Sequence, residues 1–238
     1  MGARPMNTKL TAFLAAVLLC AAPVFAQPAN NAASSAQTDA QARADAAVEK
    51  KAADWAASLA LNDSAKEARV AALIATHLKA VRDWHNTHPY TTVPAGINPV
   101  TGQPLSKLDR EIIADSAMPK SVNATLLDGL RAELSPEQVE AVLDKYTVGK
   151  VDFTLRGYKA IVPDLTAEEE TVITGFLKQA REEAIGFKNM KQISAIFEIY
   201  KTKSEQYLNS NGRNWRQLYR AYTDKMKAEK AAAQSQKK

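Results

Sequence analysis

The feature that most limits what this chain can fold into is the spacing of its apolar residues, which recur at intervals of three and four in segment after segment. Between Ser64 and His88, Val70, Leu73, Ile74, Val81 and Trp84 share one helical face, and all three histidines, His77, His85 and His88, fall on the same stripe. Asn62-Asp63-Ser64 supplies the turn and cap that open this helix. Pro89 ends it, because proline disfavours the α conformation of the residue before it and has no N–H to donate. Ser135-Pro136-Glu137-Gln138 and Thr166-Ala167-Glu168-Glu169 read as further helix starts, each with a capping hydroxyl and acids in the first turn. Val151, Phe153 and Leu155 alternate as a strand would, but a lone strand cannot satisfy its ladder bonds. Residues 148–162 are therefore read as a loop and then a helix from Thr154 to Ile161. The expectation is an all-α chain: a single bundle-like domain of about seven to eight helices over residues 42–228. A long Pro-rich loop, Tyr90 to Leu105 with Pro94, Pro99 and Pro104, interrupts it, and Tyr90, Val93, Ile97 and Val100 argue that this loop is packed.

The ends differ in character from this domain. Arg4 and Lys9 precede an apolar run from Ala12 to Ala22, and Val24-Phe25-Ala26 follows: the order of a secretory signal peptide over residues 1–26, with cleavage expected after Ala26. The run is too short to span a bilayer. Leu19 stands before Cys20 where a lipidation site wants a small residue, so the only cysteine reads as an ordinary member of the apolar run. Its removal leaves a periplasmic or secreted chain that has no disulfide and must hold together by burial. Residues 27–41 read as a flexible linker and residues 229–238 as a disordered Lys/Ala/Gln tail. The formal net charge is +5; with Arg4 and Lys9 removed it falls to +3, too mild to imply nucleic acid as a partner. No second apolar run is long enough to cross a membrane.

Nothing in the chain spells out a reaction. His85 and His88, at i and i+3, could face one point with Asp83 and His77, but there is no H-E-x-x-H and no evident further ligand, so no metal or cofactor is assigned. His77 is read as a satisfied core histidine. There is no G-x-S-x-G, and the carboxylates Asp83, Asp109, Glu111 and Asp115 are read as solvated helix-face acids. Sugar binding needs flat rings for C–H faces beside planar donors and acceptors for hydroxyls. Trp84, His85, His88 and Tyr90, with Asp109 and Arg110, have that composition, and so does the turn Asn211–Arg216 with Arg213 and Trp215. The competing reading makes Trp84, Trp215, Tyr219 and Tyr222 core residues at helical spacing.

Two resemblances bear on function. Leu134-Ser135-Pro136-Glu137-Gln138 and Leu165-Thr166-Ala167-Glu168-Glu169 look like the L-T-x-x-Q signature of Spy-like periplasmic chaperones, although only the first carries the glutamine. The signal peptide, LSPEQVE from Leu134, GKVDFTLRGYKAIVPDLT from Gly149 to Thr166 and QYLNSNGRNW from Gln206 to Trp215 together resemble an uncharacterised family of exported bacterial helical proteins labelled sugar-binding. That resemblance implies an extracytoplasmic helical domain linked to plant polysaccharide use, and it transfers no catalytic residue. The expected function is a non-catalytic carbohydrate-associated protein with an oligosaccharide or polysaccharide ligand. The alternatives are an enzyme acting on oligosaccharides, a lyase or hydrolase, or a Spy-like periplasmic chaperone.

Overall fold

The computed structural model describes residues 28–235. The expected signal peptide, its cleavage point and Cys20 lie outside the described residues. The chain divides into a unit ending at Gln41 and one beginning at Ala42. In the first, residues 28–41 are helical where composition predicts a linker, in keeping with their alanine content.

Nine α-helices stand among the described residues: α1 (Pro28–Ala57), α2 (Ser64–Thr87), α3 (Lys107–Ser116), α4 (Lys120–Glu133), α5 (Pro136–Thr147), α6 (Lys150–Ile161), α7 (Ala167–Ala184), α8 (Met190–Ser210) and α9 (Trp215–Ser235). A 3-10 turn occupies Tyr90–Thr92. The class is all-α, with no strand among the described residues beyond an isolated bridge between Ile97 and Pro104. The count among the described residues exceeds the expected seven or eight. Residues 229–235, expected to be disordered, continue α9 as an exposed helix rich in lysine and alanine.

The starts follow local chemistry. Asp63 accepts the Lys66 N–H at 2.9 Å, and Ser106, Ser135 and Thr166 each form a capping box with the residue three positions on. α6 corrects the sequence reading. It starts at Lys150 rather than Thr154, because Val148 and Gly149, at φ 55° and 63°, turn the chain through the left-handed region and release it directly into a helix. The apparent alternation is a helical stripe: Val151, Leu155 and Tyr158 face inward, while Phe153 faces out.

Two apolar clusters result. Val70, Ile74, Leu126, Leu130, Val142 and Leu143 join α2, α4 and α5 beneath Ala52 and Ala56 of α1. Val151, Tyr158, Ile173, Leu177, Phe197 and Leu208 join α6, α7 and α8. Arg181 of α7, 1% exposed, links α7 to α5 through Asp144 at 2.7 Å and Glu140 at 2.7 Å. Each carboxylate offsets the cost of burying that guanidinium.

Candidate functional site

The α2 stripe carries its histidines into three different settings. His77 is buried: its Nε2–H donates to Asn123 Oδ1 at 3.1 Å and its Nδ1 accepts the Tyr146 hydroxyl at 3.1 Å. Burial pushes its pKa down, so the ring is neutral, the satisfied core histidine its spacing predicts. His85, also buried, donates from Nδ1 to Asp115 Oδ1 at 2.5 Å, and Asp115 Oδ2 accepts from Gln192 Nε2 at 2.6 Å. Its Nε2 is buried with no partner. Asp115 is therefore not the solvated acid its position predicts. Its partner Gln192 is 77 residues away, beyond the reach of local pattern.

His88 lies flat on Trp84, ring centroids 3.6 Å apart and planes at 10°, and its Nδ1–H donates to the Trp84 carbonyl at 3.0 Å. Trp84 Nε1 reaches the Ala114 carbonyl at 3.4 Å. Tyr90 faces two cations, Lys107 and Arg110, each 5.3 Å from its ring. Arg110 also holds the Val93 carbonyl, through Nε at 3.0 Å and Nη2 at 2.5 Å. Asp109 is committed to the α3 capping box, where the Ser106 hydroxyl and N–H hold its carboxyl below the usual range. In the loop, Tyr90 and Val93 are half-buried, but Ile97 and Val100 are 62% and 90% exposed. Backbone bonds, Leu105 to Gly96 and Asn98 to Gln103 at 2.8 Å each, hold its shape instead of apolar packing.

Arg213 and Trp215 belong to another part of the domain. Gly212, at φ 84°, turns the chain between α8 and α9, and Arg213 anchors the turn. Its guanidinium donates to Asp164 Oδ1 and Oδ2 at 2.8 Å, to the Asp164 carbonyl at 2.9 Å, and to Glu169 at 3.0 and 2.8 Å. Glu169 closes the α7 capping box as well, and Arg213 holds its pKa down at about 2. This clamp fixes the start of α9. Trp215 N–H then caps onto Asn209 Oδ1 at 3.0 Å, and its ring meets Tyr158 at 5.2 Å and Tyr219 at 6.0 Å, the latter stacked at 29°.

These rings floor a groove of about 710 Å³ between α6, α8 and α9. Tyr158, anchored by its hydroxyl to the Lys201 carbonyl at 3.1 Å, is buried, while Tyr219 is 51% and Phe153 67% exposed. Tyr222 completes the aromatic lining, and Lys150, Arg156, Glu198, Lys201 and Glu205 supply charge. Lys201 donates to both oxygens of Glu198 at 2.9 Å. Burial raises the pKa of Glu205. An adjoining cavity of about 430 Å³ shares Lys150, Phe153 and Arg156 and adds Val148 and Met190. Of the eight residues singled out in the sequence, Trp215 lines the groove and Arg213 positions it; contacts join Trp84 to His88 and Tyr90 to Arg110 at the end of α2. Phe153 and Tyr158 of α6 and Glu198 and Glu205 of α8 were missed; the signal for the first two was the helical spacing of residues 150–161, which the sequence reading began only at Thr154.

Fold and groove define a class: an all-α domain carrying an aromatic-floored, charge-rimmed groove between three of its helices. Among the described residues no helix is long and apolar enough to cross a membrane. The chain belongs to the family described as "Protein of unknown function (DUF3826)", which it matches over residues 45–228. A comparison with curated proteins finds no match. The stretches 149–166 and 206–215 that carried the sequence resemblance both contribute to the groove, through Phe153 and Tyr158 from one and Trp215 from the other.

Proposed function

We propose that this is an exported, non-catalytic carbohydrate-associated protein that binds an oligosaccharide in the groove between α6, α8 and α9. The observation that carries the reading is the floor itself, Tyr158, Trp215 and Tyr219 in ring contact beneath a rim of planar polar groups. Aromatic faces take the axial C–H surface of a pyranose, and carboxylates and guanidinium take its hydroxyls. The volume falls within the range of small-molecule sites, about 300–1,000 Å³.

The test is calorimetric titration with cellohexaose, xylohexaose, mannohexaose and oligogalacturonate, on the wild type and on Tyr219→Ala. Tyr219 is half exposed, so its truncation leaves the core intact. Binding of at least one oligosaccharide that weakens about tenfold or more in Tyr219→Ala supports the reading. No binding across the panel, or equal binding by both proteins, overturns it.

A Spy-like holdase is a second reading, favoured by Val148, Phe153 and Met190, which stand exposed around the adjoining cavity. It requires suppression of a client's aggregation at substoichiometric protein. Undiminished client aggregation removes it.

A further inference from the structure

Glu205 is the groove's unsettled polar group. It lies on α8, half-buried, and its carboxyl has neither a hydrogen bond nor an ion pair. The cation placed to neutralise it is Lys201, one helical turn earlier, but Lys201 is committed to Glu198 through both carboxylate oxygens. Three helices define the surroundings of Glu205. Along α8 stand Lys201 and Glu198; from α6 comes Tyr158, whose hydroxyl is held by the Lys201 carbonyl, with Lys150 and Arg156 further along the same helix. From α9 come the rings of Trp215, Tyr219 and Tyr222. A partly dehydrated carboxyl beside an aromatic floor has its lone-pair positions vacant, since none of the donors in the groove lining hydrogen-bonds to it.

We infer that Glu205 is the polar anchor of the ligand, accepting from two adjacent hydroxyls of a neutral pyranose whose C–H face lies on the rings of α9. This rests on the carbohydrate reading above and names its substrate class. Two vicinal equatorial hydroxyls match the two oxygens of one carboxylate in a side-by-side arrangement, and the equatorial pattern leaves the axial C–H face flat for stacking. A sugar carrying its own carboxylate at this position meets Glu205 as a like charge, Glu198 being already paired with Lys201. The anchor also carries a proton linkage. Burial is the main reason Glu205 holds its proton more tightly than a free glutamate, with Glu198 adding to it and Lys201 opposing. Hydroxyl donors favour the ionised carboxylate, so ligand binding releases protons where Glu205 titrates, and affinity falls as pH drops through that point.

The test is titration of the full chain with cellohexaose, xylohexaose, mannohexaose and oligogalacturonate, at pH 7 and pH 4.5, in buffers of differing ionisation enthalpy. Wild type is expected to bind cellohexaose or xylohexaose at least tenfold more tightly than oligogalacturonate and to release protons on binding at the lower pH. Glu205→Gln keeps the shape of the side chain; it is expected to lose about tenfold or more in affinity at pH 7 and to lose the proton release. Wild-type binding that Glu205→Gln leaves unchanged in affinity and proton linkage overturns this inference and leaves the carbohydrate reading standing. Preference for oligogalacturonate does the same. Absence of wild-type binding to every probe overturns both.

Discussion

His77 and Glu169 are buried titratable side chains whose surroundings pull in different ways, and each converts into a dependence of stability on pH. Burial lowers the proton affinity of His77 below that of an unfolded histidine. The unfolded chain therefore takes up the proton first on acidification, and the stability tied to His77 is complete above about pH 6.5 and lost as pH falls below it. Urea unfolding at pH 7.5 and 5.5 should show a larger drop in midpoint for wild type than for His77→Gln; parallel drops contradict the assignment. Glu169 is held down to about 2 by Arg213, so its contribution is present above the ordinary carboxylate range and is lost as pH falls from there toward 2. Glu169→Gln should accordingly lose stability at neutral pH and show a flatter decline between pH 4.5 and 2.5. The same decline in both proteins counts against the clamp.

At the scale of single helices, the starts were legible and some of the lengths were not. Ser135, Ser106 and Thr166 act within three residues of themselves, so their capping boxes could be read from the sequence alone. Ser135→Ala should cost about 0.5–2 kcal/mol in chemical denaturation. The beginning of α6 depended instead on Val148 and Gly149 turning through positive φ, which residue spacing does not encode. Helix packing sets a second contrast. A Cβ on Gly129 of α4 would come within 2.6 Å of Leu73 Cδ2 on α2, whereas one on Gly175 of α7 meets nothing within 4 Å. Gly175→Ala should stabilise by about 0.5–1 kcal/mol, the ordinary helical gain over glycine. Gly129→Ala should show no such gain, because Leu73 has to leave its rotamer. Equal stabilisation at both positions contradicts the close approach of α2 and α4.

Over the whole molecule, the all-α class was legible because apolar spacing is a local property, while the site was legible only where one turn carried it. The Asn211–Arg216 turn was recognisable as a polar anchor opening onto an aromatic ring. Trp215 becomes a groove floor, however, only through Tyr158, 57 residues earlier, and through the Arg213 clamp onto α7. Trp84 and His88 kept the composition of a sugar platform, but they are stacked on each other at 3.6 Å. The two locations can be told apart through the chain's three tryptophans, Trp55, Trp84 and Trp215, each of which gives one indole N–H resonance. These are assigned by Trp→Phe variants and followed during titration with whichever oligosaccharide binds. The account predicts that the Trp215 resonance shifts progressively while those of Trp84 and Trp55 stay in place; movement of Trp84 alone, or of none of the three, contradicts it.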